Sequence, residues 1–232
     1  NWTRYPPFAV IAELDFIVRD CPARLCAAGI VDAMAKYPEI SYNIQFSNQW
    51  EKNLFSQSAQ LLSENTYRLL LEHGCETIEQ LRAGKITPAL EDCVCAALQV
   101  TGVISAMACG HTLYSYFCCV HPELAAGFLH GELVGSTLVY QLAVNGAPKE
   151  AQEALNRVLR ALGMPTCLEE LGLKETPEEA DRIFAFLAER MPVETPKELQ
   201  RLRGESDVLF HGLRDSAGKL QTKRGEAHET GI

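Results

Sequence analysis

Residues 93–122 contain no Asp, Glu, Lys or Arg. An uncharged run of that length suits a helix that crosses a membrane or a segment buried at the centre of a soluble domain. Its own residues favour burial. Gln99, Thr101, Ser105, His111, Thr112 and Ser115 interrupt it. Its flanks are acidic (Glu91, Asp92, Glu123), with no Lys or Arg to orient it in a bilayer. No second such run exists, so the expectation is no membrane partner and a buried central helix. A chain of 232 residues, 47% of them apolar, can build one substantial core.

The formal net charge of -9 argues against nucleic acid as a partner, because phosphate contacts need clustered Lys and Arg. The two short basic clusters, residues 201–204 and 219–225, read as solvated surface. Cysteines number nine, an odd count, and several sit in apolar sequence. The "CVC" and "CC" spacings suit zinc poorly. With no signal sequence recognised, reduced thiols in a cytoplasmic protein are expected.

Hydropathy patterning predicts an all-α chain with one exception. "FAVIA" (8–12) reads as a short strand, orphaned because little after it is β-prone. Helices follow over 22–38, 48–74 (closing on Gly74), 75–84 and 87–120, the last breaking near Gly102 or Gly110. Residues 125–146 read as a single helix, and 148–163, 168–173, 176–190 and 195–204 complete the set. The Thr-Pro pairs at 87, 176 and 195 are helix starts. The divisions are 1–18 as a strand and linker, 19–218 as a helical domain, and 219–232 as a polar tail.

Three polar groups lie in apolar helices. Asp32 stands in "AAGIVDAMA", His111 in "MACGHTLY" and His130 in "GFLHGELVG". A buried carboxylate costs several kcal/mol unless paired. Each histidine alone reads as a core group that has found hydrogen bonds. Together, a carboxylate and two imidazoles form a common three-ligand catalytic metal set with one position open. Such a set must bring its donor atoms within about 4–5 Å, given ligand bonds of about 2 Å. His73, His121, His211 and His228 read as structural.

At these residues the sequence resembles a known family. "CPARLCAAGIVDAMAKYPE" (21–39), "AGKITPALED" (83–92) and "HGELVGSTLVYQL" (130–142) resemble, in that order, motifs of the iron-containing alcohol dehydrogenase superfamily, within it the glycerol dehydrogenase branch. The likeness covers residues 8–173. It implies a helical bundle of the dehydroquinate synthase-like C-terminal type. It also implies that Asp32, His111 and His130 ligate a divalent metal. Other branches carry a fourth ligand, a histidine, where this chain has Lys36, which favours zinc over iron. The family acts on small alcohols or polyols with NAD or NADP, and forms homo-oligomers.

The chain also departs from the family. "VISAMACG" replaces a Phe-Glu-Ser-Gly-Gly-type segment, Tyr114 stands where a second histidine is common, and Leu133 stands where lysine follows the Glu. These changes imply a more apolar pocket, and Gly131 reads as room beside the metal. No G-x-G-x-x-G turn is present for a dinucleotide. The chain therefore reads as the helical half of such an enzyme, a fragment or a protein that has lost its cofactor domain, and inactive by itself. The alternative is a non-catalytic helical metal-binding or assembly module. A phosphate- or carboxylate-bearing substrate ranks lower, because no basic cluster neighbours the three ligands in sequence.

Overall fold

The computed structural model describes residues 9–47, 53–104, 106–191, 193 and 195–213. Among them every regular element is helical. The first helices are α1 (Leu14–Asp20), α2 (Ala23–Phe46), α3 (Leu54–Arg82) and α4 (Pro88–Cys95). A π-helical turn at Ala96–Val100 leads to α5 (Thr101–Val103), α6 (Cys109–Val120), α7 (Pro122–Ala125), α8 (His130–Gly135) and α9 (Leu138–Val144). Then come α10 (Lys149–Ala161), a 3-10 turn at Glu169–Leu171, α11 (Pro177–Arg190), α12 (Pro196–Gly204) and α13 (Ser206–His211). No helix among the described residues is long and apolar enough to cross a membrane.

All three Thr-Pro starts are formed. Thr87, Thr176 and Thr195 accept from the backbone N–H of Leu90, Glu179 and Glu198 at 3.3, 3.1 and 3.3 Å. Each proline takes a first-turn position, where a missing N–H costs nothing.

Other boundaries moved. No strand forms at residues 9–12; Val10 and Ile11 are exposed and the chain enters α1. A strand needs a neighbouring edge, and the described chain offers none. Phe8 lies outside the described residues. The helix expected to stop at Pro38 runs on to Phe46. The lost hydrogen bond is outweighed by burial beyond it of Ile40 and Tyr42, at 0% and 1% exposed. The Pro38 carbonyl also accepts from Asn145 Nδ2 at 2.8 Å. Gly74 does not end a helix but lies inside α3. A Cβ there would stand 3.3 Å from Ile30 Cγ2, so the glycine lets α3 close on α2. The true terminator is Gly84, at φ +66, with Gly84 N–H bonded to Leu81 O and Lys85 N–H to Gln80 O. The uncharged run breaks between α5 and α6, beside Gly102 and Gly110 as expected, but residues 125–146 hold two short helices, α8 and α9, instead of one.

Two apolar clusters meet around α2. One joins α2 and α3 to α9 and α10 through Val31, Met34, Leu70, Leu138 and Leu155. The other joins α6, α9, α11 and α13 through Phe117, Tyr140, Phe184 and Phe210. α8 lies directly on α2. A Cβ on Gly131 would sit 1.9 Å from the Ala28 carbonyl oxygen, and one on Gly135 2.8 Å from Val31 Cγ1. Gly131 therefore serves backbone-to-backbone approach of the two helices rather than room beside a metal.

A buried carboxylate ties α6 to α11. Glu179 accepts from the Tyr116 hydroxyl at 2.7 Å, His121 Nε2 at 2.7 Å and Arg182 at 2.6 Å. Burial pushes its pKa up, but these donors outweigh that and hold it below the ordinary 4.5. A depressed pKa stabilises the fold above pH 4.5 and loses that contribution as pH falls through the folded value. Glu179→Gln is therefore expected to cost about 1–3 kcal/mol at neutral pH. Urea melts across the acid range should show the gap to wild type closing below pH 4.5. A gap independent of pH would contradict the assignment.

Candidate metal centre

Asp32 sits on α2 where α6 and α8 converge. Its Oδ1 lies 3.1 Å from His111 Nε2 and 3.1 Å from His130 Nε2. One donor atom from each of Asp32, His111 and His130 lies within 4.8 Å of the others. Three residues far apart in sequence, on three elements, thus face one point. The Asp32 side chain is 26% exposed and that of His130 41%, so the point opens to one side. Burial would raise the Asp32 carboxyl, but the two imidazoles and Lys36 hold it well below the carboxylate range.

His111 is held from behind. Glu39, 0% exposed, accepts from His111 Nδ1 at 2.6 Å through Oε2. Its Oε1 accepts from the backbone N–H of Ala108 at 3.0 Å and of His111 at 2.8 Å. Ala108 offers no side-chain cap to α6, so Glu39 supplies it, placing negative charge where the helix leaves N–H groups unsatisfied. The Cys109 N–H donates to Gln141 Oε1 at 2.7 Å. Burial pulls the His111 pKa down, but its hydrogen bonds to Asp32 and Glu39 prevail and lift it to about 9. Sequence reasoning missed Glu39. The signal available was its place two turns after Asp32 on the same apolar helix.

His130 is placed by the start of α8. Arg24 donates to both oxygens of Glu132, at 2.6 and 2.7 Å, and Glu132 Oε2 accepts from the Leu129 N–H at 2.8 Å. The Tyr114 ring meets the His130 ring edge-on, centroids 4.2 Å apart. Beside His130 lies a cleft of about 270 Å³, lined by Tyr114, Cys118, Phe128 and Leu133 among others. The two departures at 114 and 133 thus both fall on this cleft, Leu133 as an apolar wall and Tyr114 as a ring.

Three other histidines pair elsewhere. His73, within α3 and not at a helix end, faces Glu76 at 3.4 Å. His121 meets Glu179, and His211 bridges Glu169 and Glu175 at 3.2 and 2.8 Å. His228 lies outside the described residues.

No protein-family model matches the chain. Glycerol dehydrogenase from Escherichia coli is 32% identical over 176 residues, covering 74% of this chain and 47% of the relative. Glycerol dehydrogenase from Thermotoga maritima is 28% identical over 177 residues, covering 75% and 48%. The crystal structure of a probable glycerol dehydrogenase from Sinorhizobium meliloti superposes with a TM-score of 0.67 at 21% identity, covering 82% of this chain and 57% of that one. The chain spans about half the length of the curated relatives it matches. By fold it is an all-α domain matching the C-terminal portion of such dehydrogenases. It belongs to the iron-containing alcohol dehydrogenase superfamily, in the glycerol dehydrogenase-like branch.

Proposed function

We propose that this chain is the metal- and substrate-binding part of an NAD(P)-linked alcohol or polyol dehydrogenase, with Asp32, His111 and His130 as ligands of a divalent ion. The observation that supports it is the approach of one carboxylate oxygen and two imidazole nitrogens, from α2, α6 and α8, to within 4.8 Å. The donor set fits zinc, or iron, with a position left for substrate. Glu39 behind His111 is the kind of partner that metal-bound imidazoles use to fix their tautomer.

When bound, the metal supplies a Lewis acid that lowers the pKa of the substrate hydroxyl. The rest falls to the chain's own groups. Glu39 holds the Nδ1 proton, so Nε2 is the His111 nitrogen that would give up its proton and face the metal. Tyr114, Phe128 and Leu133 shape a cleft that favours an alcohol with an apolar substituent. NAD or NADP, when bound, would supply the hydride acceptor. The working protein is a cytoplasmic homo-oligomer in this reading.

A second reading is a non-catalytic helical module. One observation favours it: the Lys36 ammonium reaches the centre, 3.0 Å from His111 Nε2. The natural gene product, given zinc, NAD(P)+ and a panel of vicinal diols, separates the two. Reduction of the cofactor, abolished by Asp32→Ala, is the expected result. No turnover with any diol would favour the module.

A further inference from the structure

Lys36 stands four residues after Asp32 and is only 7% exposed, so its charged end must find partners inside the protein. Its Nζ lies 3.0 Å from His111 Nε2 and 4.0 Å from Asp32 Oδ1. These are two of the three atoms assigned to the metal. His111 has no second nitrogen to offer, because Nδ1 is committed to Glu39. To hold a metal ion through Nε2 the ring must be neutral, with its proton on Nδ1 and its one lone pair on Nε2. That lone pair accepts from the ammonium or binds a metal ion, not both. An ion about 2 Å from Nε2 would also lie within about 5 Å of Nζ, and two cations that close repel.

We propose that Lys36 is a built-in competitor of the metal, a tethered cation that occupies His111 Nε2 and must be displaced before a divalent ion is held by all three ligands. This rests on the reading of Asp32, His111 and His130 as a metal site. It makes loading weak and reversible in this chain, and it assigns the weakness to one side chain. Removing that side chain should tighten binding rather than loosen it.

The test is zinc binding to the 232-residue chain, by equilibrium dialysis and elemental analysis. Leucine at this position fills similar space and offers no ligand atom. Lys36→Leu is expected to lower the zinc Kd by about tenfold or more. Adding Asp32→Ala to it should abolish the gain, which ties the gain to this site. If Lys36→Leu loses its helical circular dichroism, Lys36→Ala decides in its place. Equal affinity in wild type and variant overturns the proposal and leaves the metal site standing. Weaker binding in the variant also overturns it, since Lys36 would then be supporting the site. Zinc bound by neither protein overturns both the proposal and the metal reading beneath it.

Discussion

Gly131→Ala is expected to lower stability by about 3 kcal/mol or more, at the upper end of overpacking costs. The added methyl would sit 1.9 Å from the Ala28 carbonyl oxygen, 2.5 Å from its carbon and 2.9 Å from its Cα. All three are backbone atoms, so no rotamer change relieves the clash. α8 must lift from α2, and His130 is the first residue of α8. The variant should therefore lose zinc affinity along with stability. Gly135→Ala is the control, because its methyl would meet Val31 Cγ1 at 2.8 Å, the end of a side chain. That change should cost about 1–2 kcal/mol and leave His130 in place. Thermal melts check the pair, with a drop of about 10 °C expected for Gly131→Ala. Equal melting temperatures in the two variants would contradict the packing argument.

Replacing Glu39 is expected to disturb both the fold and the centre, and two variants separate the effects. Glu39→Ala strands the His111 Nδ1 proton and two backbone N–H groups in a buried site, at about 3–5 kcal/mol in all. Glu39→Gln is the more informative change. Its amide oxygen can keep the two backbone donors at the start of α6, so the helix stays capped. Its amide nitrogen then faces His111 Nδ1 and donates to it, which moves the ring proton to Nε2. The nitrogen aimed at the metal is then blocked. Zinc affinity should fall by about 10–100-fold while the helical signal is retained. Unchanged affinity would show that Glu39 caps α6 and nothing more.

Signals carried by neighbouring residues were legible in the sequence. Thr87, Thr176 and Thr195 with their prolines marked three helix starts, because a cap and its N–H are three residues apart. Asp32, His111 and His130 stood out as polar groups in apolar helices, and the family motifs joined them. What was not legible depends on another part of the chain. Pro38 and Gly74 look like terminators, yet both lie inside helices because α2 and α3 gain more by packing than they lose locally. The orphan strand at 8–12 looked for a partner that the described residues do not contain. Gly131 was read as space for a ligand, when the constraint comes from the Ala28 carbonyl across the helix contact. Glu39 lay just past the predicted helix end at Pro38 and drew no reading, and Lys36 was noted only as standing where other branches have a ligand histidine. Their roles appear only when α6 lies across α2.

The central claim is that Asp32, His111 and His130 form one metal site. Zinc stoichiometry measures it most directly, with the chain saturated by zinc, dialysed against a fixed free-zinc level and its bound metal counted. We predict one equivalent in the wild-type chain, and none above background in Asp32→Ala, His111→Ala or His130→Ala variants that keep their helical signal. Bound zinc that survives Asp32→Ala, or a wild-type chain that takes up none, would contradict the account.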